Sequence, residues 1–278
     1  MERNRIYEGS CFDLTESLQN ESVDLFVTSP PYADIRKYGG DVVPLHPDTY
    51  VDWCLPLFQL MYQKLKPSGS IIWNIDDKCV KGGRHPFIFE LIHRVTKETS
   101  CILYDYYIWK KKSSLPSCGP RRINHITEFI FHFVKNPKLV KWNMDNVRVP
   151  YAASTHTRSK IPIKRYSESE SGIRTDETAT IHKMNPLGKI PSNVMEFHTS
   201  QITRGNKHPA PFNKEMPTWF IKSLTDPKDL VVDTFIGSGT TALACMDNQR
   251  DFIGFEINKE YVNYARDRIN DAGGGFFY

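Results

Sequence analysis

The chain has 278 residues, of which 24% are charged and 40% hydrophobic, and its formal net charge is +4. This composition is typical of a soluble globular protein, and every apolar run falls short of the roughly 20 residues that a bilayer-spanning helix needs. The six cysteines include no Cys-x-x-Cys pair, so we expect no metal site and a reducing, cytoplasmic compartment.

The first 135 residues alternate apolar strands with helices. Strands are predicted at Arg5–Tyr7, Val23–Val27, Ser70–Ile75, Ile102–Trp109 and Ile126–Val134. Helical spacing of apolar residues predicts a turn at Asp13–Leu18 and helices at Tyr50–Leu65 and Phe87–Val95. Such alternation is typical of a doubly wound α/β sheet.

The chain changes character in its middle and then returns to the first pattern. Residues 136–206 are polar and weakly periodic, which predicts an insertion between two halves of one domain, residues 1–135 and 207–278. In the second half we expect strands at Leu230–Phe235 and Phe252–Glu256 and helices at Lys214–Leu224, from Thr240, and at Tyr261–Ile269.

A glycine-rich turn joins a strand to a helix at Val231–Ala242. Glycines permit a tight turn and a close approach of a ligand, and the helix N-terminus that follows favours a phosphate or the carboxylate of a methionine. Glu256 ends the next strand, where a carboxylate can accept hydrogen bonds from ribose hydroxyls. The same pattern fits a dinucleotide fingerprint, so an NAD-dependent oxidoreductase or a non-catalytic nucleotide-binding module stays open here.

A second motif, Thr28–Tyr32, follows a buried strand directly. Pro30 and Pro31 fix the backbone and lack N–H groups, so the carbonyls before them are free to accept hydrogen bonds. Such a loop suits a flat ligand that carries an amino group. Tyr32 would stack on its face, while Ser29 and a backbone carbonyl accept from the amine.

Together, Thr28–Tyr32 and Asp233–Thr241 resemble the motifs of the DNA amino-methyltransferases. That family carries a (Asp/Asn/Ser)-Pro-Pro-(Tyr/Phe) catalytic motif and a Phe-x-Gly-x-Gly motif for S-adenosylmethionine. The catalytic motif comes first here, as in the circularly permuted β group. The resemblance implies a seven-stranded, Rossmann-like sheet in which both motifs face one site, with residues 136–206 as the target-recognition insertion.

The family motifs also imply roles for individual residues. Catalysis would fall to Ser29, Pro30, Pro31 and Tyr32. Residues expected around the cofactor are Ser10, His208, Phe212, Asp233, Phe235, Gly237, Gly239, Thr240, Thr241, Glu256 and Ile257. Ser10 departs from the acid that relatives often carry near the adenine, and His208 fits a turn better than a general base.

Serine at position 29 resembles the subset of the family that methylates cytosine N4. The resemblance therefore implies transfer of a methyl group to cytosine N4 in duplex DNA, by direct displacement onto a flipped base. Adenine N6 remains the alternative, because serine against aspartate is a tendency of the family. No Pro-Cys motif for carbon-5 methylation is present.

Basic residues cluster in two stretches that we predict to contact DNA, whose phosphates attract Lys and Arg. The first follows a predicted strand and contains Lys110, Lys111, Lys112, Arg121 and Arg122. The second lies in the insertion and contains Arg158, Lys160, Lys164 and Arg165, for which a flexible basic loop is an equal alternative. A cognate restriction endonuclease is a partner that the resemblance raises, and the oligomeric state stays open.

Overall fold

A computed structural model describes residues 1–32, 45–112, 121–158, 166–168, 174–176, 184–198 and 213–273. The chain divides into two compact units, residues 1–143 with 193–278, and residues 144–192. Within the described ranges, no helix is long and apolar enough to cross a membrane.

The larger unit is built from alternating strands and helices. Its strands are β1 (Arg5–Glu8), β2 (Val23–Thr28), β3 (Leu65–Ile75), β4 (Cys79–Val80), β5 (Gly83–Arg84), β6 (Ile102–Lys111), β7 (Thr127–Val134), β10 (Val194–Phe197), β11 (Leu230–Asp233) and β12 (Asp251–Glu256). Its helices are α1 (Cys11–Glu16), α2 (Pro47–Lys64), α3 (Phe87–Glu98), α5 (Glu215–Leu224), α6 (Thr240–Asp247) and α7 (Lys259–Asp271).

One sheet runs through this unit in the order β1-β12-β11-β2-β3-β7-β6-β10. In this order the strands β1, β12, β11, β2 and β3 are parallel to one another, whereas β7 runs antiparallel to both β3 and β6. The N-terminal strand therefore pairs with the C-terminal one, as the permuted order predicts. The chain order reverses between β11 and β2, so this is the switch point at which α/β sheets bind their ligands.

Helices cover both faces of the sheet. On one face the apolar sides of α2 and α3 pack against strand residues such as Phe26, Trp73 and Phe133. On the other, α5, α6 and α7 pack against the alternate residues, among them Val27 and Ile72. Successive side chains of a strand point to opposite faces, so these central strands are apolar on both sides. The doubly wound α/β prediction is confirmed.

All seven predicted strands are present, and the described residues add an eighth to the sheet. Val194–Phe197 forms β10 and pairs in parallel with the outer edge of β6. Only Met195 and Phe197 of this short strand are buried. Two apolar residues inside a polar stretch are too few to predict a strand from the sequence. Strand β3 also begins earlier than predicted, at Leu65, because its pairing with β2 includes an irregularity after Val23.

The smaller unit has little regular structure in its described residues. A 3₁₀-helix spans Met144–Val147, α4 spans Ala153–Arg158, and β8 (Tyr166–Glu168) pairs antiparallel with β9 (Arg174–Asp176). A bridge between Val149 and Lys189 closes its two ends. This unit, residues 144–192, is shorter than the predicted insertion, residues 136–206. The role of the insertion in target recognition remains a proposal.

The centre of β12 has room only for glycine. A Cβ added at Gly254 would lie 2.8 Å from Cγ1 and 2.9 Å from Cβ of Ile236, in the loop that follows β11. We expect Gly254→Ala to lower the free energy of unfolding by about 1–3 kcal/mol, the usual cost of overpacking. Urea denaturation of the variant and the wild type measures this difference.

Gly83→Ala is the matched control, because the nearest atom to its added Cβ is a carbonyl oxygen 3.9 Å away. We expect it to change stability by less than about 0.5 kcal/mol, as surface substitutions do. Equal losses in the two variants would show that the contact with Ile236 is not the cause.

Candidate active site

The two sequence motifs meet at the carboxyl edge of the sheet. Strands β2 and β11 are neighbours, with Leu25 opposite Val231, so the loops that follow them leave the sheet side by side. The Thr28 hydroxyl donates to Asp233 Oδ1 at 2.9 Å and lies 3.0 Å from the Thr234 hydroxyl. These buried contacts join the ends of the two strands.

Asp233 holds the start of the glycine-rich loop. Besides Thr28, its carboxylate accepts from the Phe235 N–H at 3.0 Å and from the Thr241 hydroxyl at 2.6 Å. The side chain is only 1% exposed, and burial raises the pKa of Asp233 to about 6. Both carboxylate oxygens of Asp233 therefore accept hydrogen bonds from within the protein, and one of these bonds comes from the Thr241 hydroxyl.

The glycines of the loop adopt backbone conformations that other residues rarely reach. Gly237 has φ +50° and Gly239 has φ +82°, in the left-handed region. A Cβ at Gly239 would also lie 3.1 Å from that of Ala265 on α7. Helix α6 begins directly afterwards at Thr240, so its N-terminal N–H groups lie beside the loop.

Glu256 ends β12 beside this loop. Its carboxylate accepts from the backbone N–H of Gly237 at 3.1 Å and of Asn258 at 2.9 Å. Burial raises the pKa of Glu256 above its ordinary value. The next residue, Ile257, is 58% exposed.

Aromatic rings surround Phe235 of the loop. Its ring lies 5.8 Å from that of Trp53 on α2 and 6.4 Å from that of Trp73 on β3, between centroids. Phe12 stands edge-on to Trp53 at 5.5 Å, and Ser10 caps α1 by accepting from the Phe12 N–H at 3.2 Å. Trp53 thus lies between Phe235 and Phe12, whose backbone N–H contacts Ser10, although no sequence motif singles this tryptophan out.

The catalytic motif is anchored inward. Tyr32 is only 9% exposed, and its hydroxyl accepts from the Ser29 hydroxyl at 3.2 Å. The same hydroxyl donates to the Glu128 carboxylate on β7 at 2.7 Å. Burial, together with the negative charge of Glu128, raises the pKa of Tyr32 well above its ordinary value. The predicted stacking ring is therefore held in place by its own hydroxyl.

Asn74 on β3 completes this cluster. Its amide nitrogen donates to Tyr32 at 2.7 Å and to Glu128 at 2.8 Å. A carboxylate only accepts hydrogen bonds, so this contact fixes which end of the amide faces Glu128. The amide oxygen is buried and has no partner among the described residues. An amino group bound in the site would supply the missing donor.

Charged side chains continue the cluster to the surface. Lys111 on β6 lies 2.8 Å from Glu128 and 3.3 Å from Asp76, which His125 contacts at 2.9 Å. Burial opposes the charge of Lys111, but Glu128 and Asp76 outweigh it and raise its pKa. The pKa of Asp76 is also raised, by burial and then by the charge of Glu128.

The predicted DNA contacts fall into different surroundings. Lys111 differs most from the prediction, because its ion pairs draw it into the site and leave its side chain 16% exposed. Lys110 is exposed and pairs with Glu196 at 2.7 Å. Arg122 contacts the backbone of the β4–β5 hairpin, while Lys112 and Arg121 are exposed.

Several predicted residues lie outside the described part of the chain. These are His208, Phe212, Lys160, Lys164 and Arg165. Arg158 ends α4, and only its backbone is described.

Comparisons with known proteins point to one family. The N6/N4 DNA methylase family model matches residues 23–267. The type II methyltransferase M.PvuII of Proteus hauseri is 32% identical over 96% of this chain and 83% of its own length. The DNA adenine methyltransferase YhdJ of Escherichia coli (strain K12) is 25% identical over 98% of this chain and 84% of its own.

A solved structure shows the same fold. The cytosine-N4-specific PvuII DNA methyltransferase superimposes with a TM-score of 0.70 at 27% identity, covering 97% of this chain and 90% of that one. The family uses S-adenosylmethionine as its methyl donor. The motifs, the permuted sheet and these matches lead to one conclusion: the chain belongs to the N6/N4 DNA methylase family and is a DNA methyltransferase that uses S-adenosylmethionine.

Proposed function

We propose that this DNA methyltransferase acts on cytosine N4 in duplex DNA. The observation that carries the proposal is Ser29, at the first position of the catalytic motif. Its hydroxyl donates inward to Tyr32 and its oxygen accepts from the Asn74 amide at 3.4 Å, so one lone pair of that oxygen is left for a donor in the site. An exocyclic amino group is such a donor, and the similarity to M.PvuII supports cytosine as the base that carries it.

The chemistry follows from the weak nucleophilicity of that amine, whose lone pair is conjugated into the ring. Hydrogen bonds to Ser29 Oγ and to the Pro30 carbonyl would draw the nitrogen towards a tetrahedral geometry and free the lone pair. The cofactor supplies a methyl group on a sulfonium, which the nitrogen takes in a direct displacement. Positioning and exclusion of water provide the rate enhancement.

The target base would have to leave the duplex. Ser29 is only partly exposed and the cluster behind it is buried, so a base stacked in DNA could not reach it. We therefore infer base flipping, at an unstacking cost of a few kcal/mol. Lys110, Lys112, Arg121 and Arg122 are our candidates for phosphate contacts, and the insertion, residues 136–206, for target recognition.

We assign the cofactor to the loop after β11. Phe235, Gly237, Gly239 and Thr240 would line its methionine part, Glu256 its ribose and Ile257 its adenine. Two observations support this placement: the helix N-terminus at Thr240 suits a carboxylate, and Glu256 is an acceptor at the end of the next strand.

Adenine N6 is the second candidate, and its support is the similarity to YhdJ over nearly the whole chain. Incubation with labelled S-adenosylmethionine and unmethylated duplex genomic DNA, followed by nucleoside analysis, separates the two. We expect labelled N4-methylcytosine. Labelled N6-methyladenine would mean that the target base is adenine and not cytosine. Unlabelled DNA would contradict the proposed activity itself.

Substitutions should separate the two halves of the site. Tyr32→Ala should lower the methylation rate by about 10²-fold or more, the lower end for loss of a positioned catalytic group, and leave the Kd for S-adenosylmethionine unchanged. Glu256→Ala should weaken that Kd by about 10-fold or more, because a hydrogen bond to a charged group is worth about 1.5–3 kcal/mol.

Glu260→Ala is the control for the second variant, since Glu260 is an exposed carboxylate four residues further along the chain. It should bind the cofactor like the wild type, as measured by calorimetry. Weakened cofactor binding in Tyr32→Ala with normal binding in Glu256→Ala would mean that the two roles are reversed.

The proposed phosphate contacts can be tested through salt. Arg121→Ala should weaken binding to any duplex and reduce the slope of log K against log salt by about 0.9, the value for one lost phosphate contact. Lys135→Ala, on the strand end opposite the site and paired with Glu21, should leave the slope unchanged. Equal slopes in wild type and Arg121→Ala would remove Arg121 from the interface.

A further inference from the structure

A chain of hydrogen bonds leads from the catalytic motif into the protein. The Ser29 hydroxyl donates to the Tyr32 oxygen at 3.2 Å, and the Tyr32 hydroxyl donates to Glu128 at 2.7 Å. Both donors point the same way, from the site towards the carboxylate. A carboxylate has no proton to give, so it fixes this direction from the inner end.

Direct displacement on an amine leaves a proton to be removed. The nitrogen gains a carbon and a positive charge, and it becomes neutral only when one N–H proton leaves. In the proposed placement, Ser29 Oγ is the protein atom that accepts from this N–H. Serine alone is too weak a base to hold the proton, since it must give up its own at the same time.

We propose that Glu128, acting through Tyr32 and Ser29, receives the proton that the target amine loses on methylation. The inference rests on the proposed placement of the amine at Ser29. Glu128 does not touch the substrate, so it is a positioning residue that also holds the transferred proton. Neither the motif resemblance nor the proposed function assigns it any role.

A bond forms between the amino nitrogen and the methyl carbon, and the sulfonium bond to that carbon breaks, with its electron pair staying on sulfur. The amine proton passes to Ser29 Oγ, the serine proton to the Tyr32 oxygen, and the tyrosine proton to Glu128. The products are the methylated amine, the neutral thioether and a protonated Glu128.

The groups around Glu128 support its role as a base and give the proton a route to solvent. The titratable groups that face it are Tyr32 from the loop after β2, Asp76 after β3 and Lys111 on β6. Lys111 bridges Glu128 and Asp76, and His125 beyond Asp76 has a side chain that is 27% exposed. The proton can return to solvent along these contacts, which restores the carboxylate.

A purely structural role explains this cluster less well. Glu128 is 5% exposed, and removing an ion from water costs several kcal/mol even after relaxation. A neutral amide oxygen could also accept from the Tyr32 hydroxyl, and it would avoid the cost of burying a charge. A negative charge on Glu128 is useful if this carboxylate must take up a proton during the reaction.

The test uses the full-length enzyme in single-turnover methylation of duplex DNA. Glu128→Gln and Tyr32→Phe should each slow methyl transfer by about 10²-fold, the range expected for loss of a general base. The Kd values for S-adenosylmethionine and DNA should stay within twofold. Glu90→Gln, which neutralises a half-exposed carboxylate on α3, is the control and should match the wild type.

Two further measurements separate proton transfer from packing. The double variant Glu128→Gln/Tyr32→Phe should be no slower than either single one, because both act on one relay. Glu128→Asp, which keeps the charge, should restore part of the rate.

Two results would overturn the relay. These are wild-type rates in Tyr32→Phe, or additive losses of about 10⁴-fold in the double variant. If Glu128→Gln does not fold, Tyr32→Phe alone decides, since it removes one hydroxyl and keeps the ring. In each case a methylating wild type leaves the proposed function standing. A product of N6-methyladenine would change only the base, because either amine must lose a proton.

Discussion

The buried carboxylate of Asp233 connects the parts of this enzyme that must stay together. It accepts hydrogen bonds from Thr28 at the end of β2, from Phe235 at the start of the glycine-rich loop, and from Thr241 on α6. The loop that follows β2 and the glycine-rich loop leave neighbouring strands, and this one side chain joins them. Burial raises its pKa to about 6, so the charged form is held against a desolvation penalty by three donors.

Much of the fold could be predicted from the sequence because the central strands are apolar on both faces. Runs such as Val231–Val232 and Leu25–Val27 are buried from two sides, and they stand out against polar loops. The permuted order followed from the two motifs and gave the pairing of β1 with β12. Strand β10 could not be found in this way, because an edge strand of four residues buries only two side chains.

The candidate site was predictable only where a residue belongs to a continuous motif. Glu128, Asn74 and Lys111 lie on three different strands and meet only in the folded sheet. Asn74 and Glu128 each precede an apolar strand residue, where a polar side chain usually faces solvent. Lys111 lies between Lys110 and Lys112, so the sequence predicts a phosphate contact, whereas Glu128 and Asp76 pair with it inside the site.

Four acidic side chains with different partners lie at the carboxyl edge of the parallel strands. Beside the glycine-rich loop are Asp233 and Glu256, and their oxygens are occupied by backbone N–H groups and hydroxyls. Beside Thr28–Tyr32 are Glu128 and Asp76, which pair with the ammonium of Lys111. The first pair is fixed by hydrogen bonds that a proton would weaken, which suits groups that shape a binding site. In the second pair, Glu128 is joined through Tyr32 to the partly exposed Ser29, and in our proposal it takes up the proton that the target amine loses. We therefore infer the different roles of these carboxylates from their partners and not from their burial.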